Sequence, residues 1–145
     1  MWRDDQSPYE GRHYQLARPL NHPLALAQPH PPIMIGGSGE RKTLKFVARY
    51  AQACNLFPGP VLARKLDVLR AHCAAEGRDY DEIEKTCYYR YDVGAKGEKA
   101  AETVDQLGRL AELGFGMAIG VVVNVWDITP LEVIGAEVIP QVAAF

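Results

Sequence analysis

The chain has 145 residues, 48% of them hydrophobic and 23% charged, with a formal net charge of -2. That make-up belongs to one soluble globular domain and excludes a disordered, fibrous or membrane-embedded chain. The near-neutral balance gives no global attraction to nucleic acid or to an anionic membrane, so neither is expected as a partner.

No apolar run reaches the roughly 20 residues of a membrane span, and the start, "MWRDDQSPYEG", lacks a basic-then-apolar signal pattern. Cys54, Cys73 and Cys87 are odd in number and widely spaced. Reduced, buried thiols in a cytoplasmic protein are the expectation.

Residues 1–31 read as an irregular, proline-rich arm with room for one short hairpin around "RHYQL". From residue 32 to residue 145 the texture changes to short β-type runs, each followed by a helical pattern, the signature of βα units and a parallel sheet. The first unit is "IMIGG" and a helix with Leu44, Val47, Ala48 and Ala51 on one face. "ACNLF" follows, with a helix striped by Leu62, Leu66, Leu69 and Cys73 and closed by Gly77. The third unit is "KTCYYRYDV" and a helix carrying Ala100, Val104, Leu107 and Ala111, stopped at Gly114. The fourth is "MAIGVVVNV" and "TPLEVIGAEVIPQV", where Thr129, Pro130 and Glu132 read as hydroxyl cap, first-turn proline and first-turn acid. Four such units fit either an open, doubly wound sheet or half of a (β/α)8 barrel, and periodicity does not separate the two.

Between the first strand and its helix stands Gly36-Gly37-Ser38-Gly39. Such a turn offers backbone N–H groups at the positive end of a helix with no side chains in the way, a geometry that suits phosphate. Ser38 adds a hydroxyl, and Arg41, Lys42 and Thr43 occupy the first turn. Glu40 points the other way, although an acid there also stabilises the helix dipole. Arg41 stands where a P-loop needs glycine, and Lys42 stands where the dinucleotide fingerprint needs its third glycine, so both nucleotide motifs are rejected. A tight turn that merely uses glycine's positive φ remains open beside the anion site.

Asn55 and Phe57 end the second strand, where barrel and open-sheet enzymes alike place ligand contacts. Tyr88, Tyr89 and Tyr91 read as a core strand, and Gly94 and Gly97 repeat the strand, glycine, helix arrangement more weakly. His13, His22, His30 and His72 show no ligand spacing with Cys or acids, so no metal site is expected. No nucleophile, base and orienting acid fall into a catalytic pattern.

"PPIMIGGSGERKTLKFVARYAQACNLF" followed by "RKLDVLRAHCAAEGRDYDEIEKT" resembles the luciferase-like monooxygenase superfamily, in its branch that uses the deazaflavin coenzyme F-420. "YEGRHYQL" and "PLEVIGAEVIPQV" look like the same branch, so the resemblance covers nearly the whole chain. It implies the second half of a (β/α)8 barrel of the bacterial luciferase type, from the fifth strand at Pro32 to the last helix. It also implies that the coenzyme's phosphate lies on Gly36, Gly37, Ser38 and Gly39, with Arg41 and Lys42 as helpers and Asn55 and Phe57 as pocket wall. The ring-contacting acid and base groups of such enzymes come from earlier strands, so no catalytic residue is named.

The implied activity is hydride transfer between F-420 and a small-molecule substrate by an oxidoreductase, with an FMN-dependent monooxygenase as the alternative cofactor reading. The resemblance of Met1-Trp2 to an internal segment of longer enzymes points to a truncated frame or a fragment. Trp126-Asp127 stands where a more polar pair is expected. A half-barrel exposes strand edges, which leads to the expectation of a homodimer through the open barrel edge. The rival class is a non-catalytic α/β module that binds a phosphorylated ligand or a partner protein.

Overall fold

The computed structural model describes residue 2 and residues 5–145. The chain divides into two compact units, residues 1–32 and residues 33–145. In the first, β1 (Tyr9–Glu10) and β2 (Gln15–Leu16) form an antiparallel hairpin in which Tyr9 faces Leu16, closed by the Gly11 N–H on the Tyr14 carbonyl at 2.9 Å.

The second unit alternates strand and helix throughout. In chain order these are β3 (Met34–Gly36), α1 (Thr43–Tyr50), β4 (Ala53–Leu56), α2 (Leu62–Glu76), a 3-10 turn (Tyr80–Glu82), β5 (Glu84–Tyr91), α3 (Ala100–Glu112) and β6 (Met117–Val122). The last helix starts as α4 (Thr129–Val133), widens to a π turn (Ile134–Val138) and ends as α5 (Ile139–Val142). Pro140 explains that widening. It has no N–H and its ring crowds the carbonyl four residues back, so the Ile139 N–H reaches back five residues to Ile134 instead.

All four strands are parallel and pair in sequence order, β3-β4-β5-β6. A doubly wound sheet reverses its direction of travel part-way, whereas sequential order with crossovers of one hand lays every helix on one face. The architecture is therefore a partial (β/α) barrel preceded by an irregular arm. Cys54, Leu56, Cys87 and Tyr89 point from the strands into a core with Leu44, Val47, Leu66, Leu69, Leu107 and Leu110 from the helices.

The opposite face of the sheet, which would line the barrel's interior, is bare except where Ala53 and Thr86 are buried within it. Strand parity puts Met34, Tyr88, Met117, Ile119 and Val121 there, and each is 40–48% exposed.

Helix stripes follow the sequence with two adjustments. In α3 the buried set is Ala100, Thr103, Val104, Leu107 and Leu110, so the stripe is wider than expected and Leu110 supplies the volume assigned to Ala111. At the last helix Ile128, not Thr129, holds the capping position, with no side-chain cap. The first-turn carbonyl partner is Ile128, which accepts from Leu131 and Glu132.

Candidate functional site

β3 delivers the chain at the C-terminal edge of the sheet, where all four parallel strands end and where barrel enzymes carry their sites. Gly37 continues the ladder beyond the strand, with its N–H on the Asn55 carbonyl at 3.0 Å. Its φ of 117° is closed to residues with a Cβ, so this glycine makes the bend and its amide is already used.

The next five amides are different. Among the described residues, the N–H groups of Ser38, Gly39, Glu40, Arg41 and Lys42 meet no hydrogen-bond acceptor, and α1 starts with no side-chain cap. A helix start without a cap leaves donors and a positive dipole end facing outward. A side chain at Gly39 would put its Cβ 2.8 Å from Thr43 Oγ1, which keeps this position small. Ser38, Gly39, Glu40, Arg41, Lys42 and Lys65 line one cavity over these amides.

Glu40, the residue that argued against an anion, is turned aside. Its carboxylate accepts from Lys65 Nζ at 2.7 Å and from Arg64 at 3.0 Å, both on α2. The Lys65 hydrogen bond, aided by Arg64, holds the carboxyl below its ordinary range. Arg64 and Lys65 thus hold the carboxylate, and Arg41 and Lys42, which line the cavity, form no ion pair among the described residues.

The expected residues therefore separate into three groups. Ser38, Gly39, Arg41 and Lys42 come together at the cavity, whereas Gly36 and Gly37 shape the approach to it. Asn55 and Phe57 lie on the bare face of the sheet instead. Asn55 Nδ2 donates to Thr86 Oγ1 at 2.8 Å, and that hydroxyl donates to the Cys54 carbonyl at 2.9 Å. Phe57 meets Tyr88 edge to face with ring centres 5.7 Å apart.

Sequence reading missed Lys65, Arg64 and His72, all contributed by α2. Lys65 and His72 are seven apart and so share a helix face, a spacing visible beside the Leu62, Leu66, Leu69 and Cys73 stripe. The three thiols are buried, and desolvation pushes each above its ordinary range, which leaves them inert. Among the described residues, no cluster of three or more His, Cys, Asp or Glu has metal-holding geometry, and no helix is long and apolar enough to cross a membrane.

A parallel sheet in sequential order, with its helices on one face and a donor-rich glycine turn at its C-terminal edge, is a partial (β/α)-barrel design. The model of the luciferase-like monooxygenase family matches residues 1–124, and the chain belongs to that family. A comparison with curated proteins finds no match.

Among solved structures the chain is similar to an F-420-dependent secondary alcohol dehydrogenase in complex with an F-420-acetone adduct, at 13% identity and a TM-score of 0.69. That match covers 97% of this chain and 57% of the other. It is also similar to the coenzyme F-420-dependent tetrahydromethanopterin reductase of Methanopyrus kandleri, at 17% identity and a TM-score of 0.56, with 76% of this chain and 50% of that one covered. The chain thus spans about half the length of these two structures, and at such identities the likeness is one of fold.

Proposed function

We propose that this chain carries the phosphate-binding half of a deazaflavin-dependent oxidoreductase, with F-420 as the coenzyme and a small molecule as the substrate. The observation that carries the reading is the run of five amides from Ser38 to Lys42 that, among the described residues, meet no acceptor at an uncapped helix start, with Arg41, Lys42 and Lys65 lining the cavity. An oxyanion fits there because it accepts several N–H bonds at once and needs no proton from the site. Both solved structures named above carry F-420 in their descriptions, which favours it over FMN.

Bound F-420 supplies hydride chemistry. The residues of this chain hold its phosphate at Ser38–Lys42 and present Asn55, Phe57 and Tyr88 as a wall on the bare face of the sheet. That face favours a second reading as well. Its apolar side chains and the two free edges, β3 and β6, suit a homodimer in which β6 of each copy pairs with β3 of the other to make eight parallel strands. If no coenzyme binds, such a chain acts as a non-catalytic module.

The test is a fluorescence titration with oxidised F-420 and, in parallel, FMN, on the wild-type chain and on Ser38→Asp, with sedimentation velocity on the same samples. Ser38→Asp places a negative charge at the amides without the backbone strain of a change at Gly37. Saturable binding that this variant abolishes supports the phosphate site, and the tighter ligand names the cofactor. No binding of either by a folded chain refutes the coenzyme reading, and a monomer refutes the dimer.

A further inference from the structure

Helix α2 grips the glycine turn at a second point. His72 Nε2 lies 2.7 Å from the carbonyl oxygen of Glu40, the residue whose carboxylate Lys65 holds one double turn earlier on the same helix face. A carbonyl oxygen only accepts, so the ring nitrogen carries the proton and donates. Among the described residues nothing else hydrogen-bonds to the peptide group between Glu40 and Arg41.

A peptide group is planar and trans, so its C=O and N–H point in opposite directions. With the Glu40 carbonyl fixed on His72, the Arg41 N–H points away from His72, and among the described residues it is one of the five amides without an acceptor. Released from His72, this peptide has no hydrogen bond to set its rotation, and the amide loses its fixed aim.

We propose that His72 is a positioning residue of the anion site, which locks the Glu40–Arg41 peptide so that the Arg41 amide faces the bound phosphate. The proposal rests on the reading of the turn as a phosphate site. His72 acts through the backbone and does not itself touch the anion, so its effect is local to one of the five donors.

The test is a titration of the 15N-labelled chain with inorganic phosphate, following backbone amide shifts in wild type, His72→Leu and His72→Gln. Glutamine places a donor amide near the position of Nε2 and keeps the bond to the carbonyl, whereas leucine keeps the bulk and removes the donor. The expected result is a saturable downfield movement of the Ser38, Gly39 and Arg41 amides in wild type. In His72→Leu, Arg41 stops responding while Ser38 and Gly39 still move, and phosphate affinity falls about tenfold, the worth of one charge-assisted hydrogen bond. His72→Gln restores both.

An Arg41 amide that follows phosphate equally in wild type and His72→Leu overturns the role of His72, and so does identical behaviour of the leucine and glutamine variants. If Ser38 and Gly39 respond but Arg41 is silent in wild type, the positioning role fails and the phosphate site stands. If no amide in the turn responds, both fail.

Discussion

Thr86 ties the core to the wall of the proposed pocket, and its replacement by valine tests that tie. The residue is fully buried in the middle of β5, where its hydroxyl donates to the Cys54 carbonyl at 2.9 Å and accepts from Asn55 Nδ2 at 2.8 Å. Valine has nearly the same shape, so no cavity opens and the cost is that of two hydrogen bonds. At about 1–1.5 kcal/mol each, the expected loss is roughly 2–3 kcal/mol. For a chain of this size that lowers Tm by roughly 6–10 °C. Urea unfolding followed by circular dichroism measures it, in a double-mutant cycle with Asn55→Ala. The cycle should return about 1 kcal/mol of coupling, because either single variant removes the same Asn55–Thr86 hydrogen bond. A Thr86→Val loss below about 0.5 kcal/mol, or a coupling near zero, would refute the claim that this pair fixes Asn55.

Three further predictions concern packing, the turn and acid. Leu69→Ala, at a site with 0% exposure on α2, should cost about 2–5 kcal/mol in urea unfolding, whereas Phe46→Ala, 49% exposed on α1, should cost under about 1 kcal/mol. Gly37→Ala should cost about 1–3 kcal/mol through its φ of 117°, while Gly36→Ala, whose new Cβ finds its nearest neighbour at 4.0 Å, should leave stability nearly unchanged. The Glu40 carboxyl sits below its ordinary 4.5 because Lys65, with Arg64, bonds its charged form. The folded state therefore binds fewer protons there than the unfolded chain. That stabilisation is complete above the ordinary value and is lost as pH falls through the lowered one. Thermal melts from pH 6 down to pH 3 should show a shallower acid decline in Glu40→Gln than in wild type, and equal slopes would remove Glu40 from the acid response.

Local pattern in the chain predicts much of this fold, because local pattern is what sets it. The Leu62, Leu66, Leu69 and Cys73 stripe is the buried set of α2, and the glycine at 77 closes that helix in the left-handed region with a φ of 66°. Periodicity is silent on strand order, since a strand buried under helices on one face reads alike in an open sheet and in half a barrel. The sequential pairing from β3 to β6 settles that point by tertiary arrangement. Thr129 misleads for a related reason. A hydroxyl and a proline satisfy the local rule for a helix start, yet the chain enters the helix one residue earlier, at Ile128.

The candidate site divides along the same line. The glycines announce a bend because Gly37 must take a φ that other residues avoid, but the direction in which Glu40 points is decided by a neighbouring helix 24 to 32 residues away. Read alone, an acid in the first turn opposes a phosphate; held by Arg64 and Lys65, it brings Lys65 to the cavity, while Arg41 and Lys42 form no ion pair among the described residues. Separately, the carbonyl of Glu40 meets His72 Nε2 at 2.7 Å. One residue that seems to disqualify the site thus fixes the turn to α2 through both its side chain and its backbone. Removing only the charge, as in Glu40→Gln, leaves the backbone contact in place, whereas His72→Leu removes the backbone contact and leaves the charge. If the amides bind phosphate, those two variants should differ. The first should change the affinity while every amide still responds. The second should silence Arg41 alone.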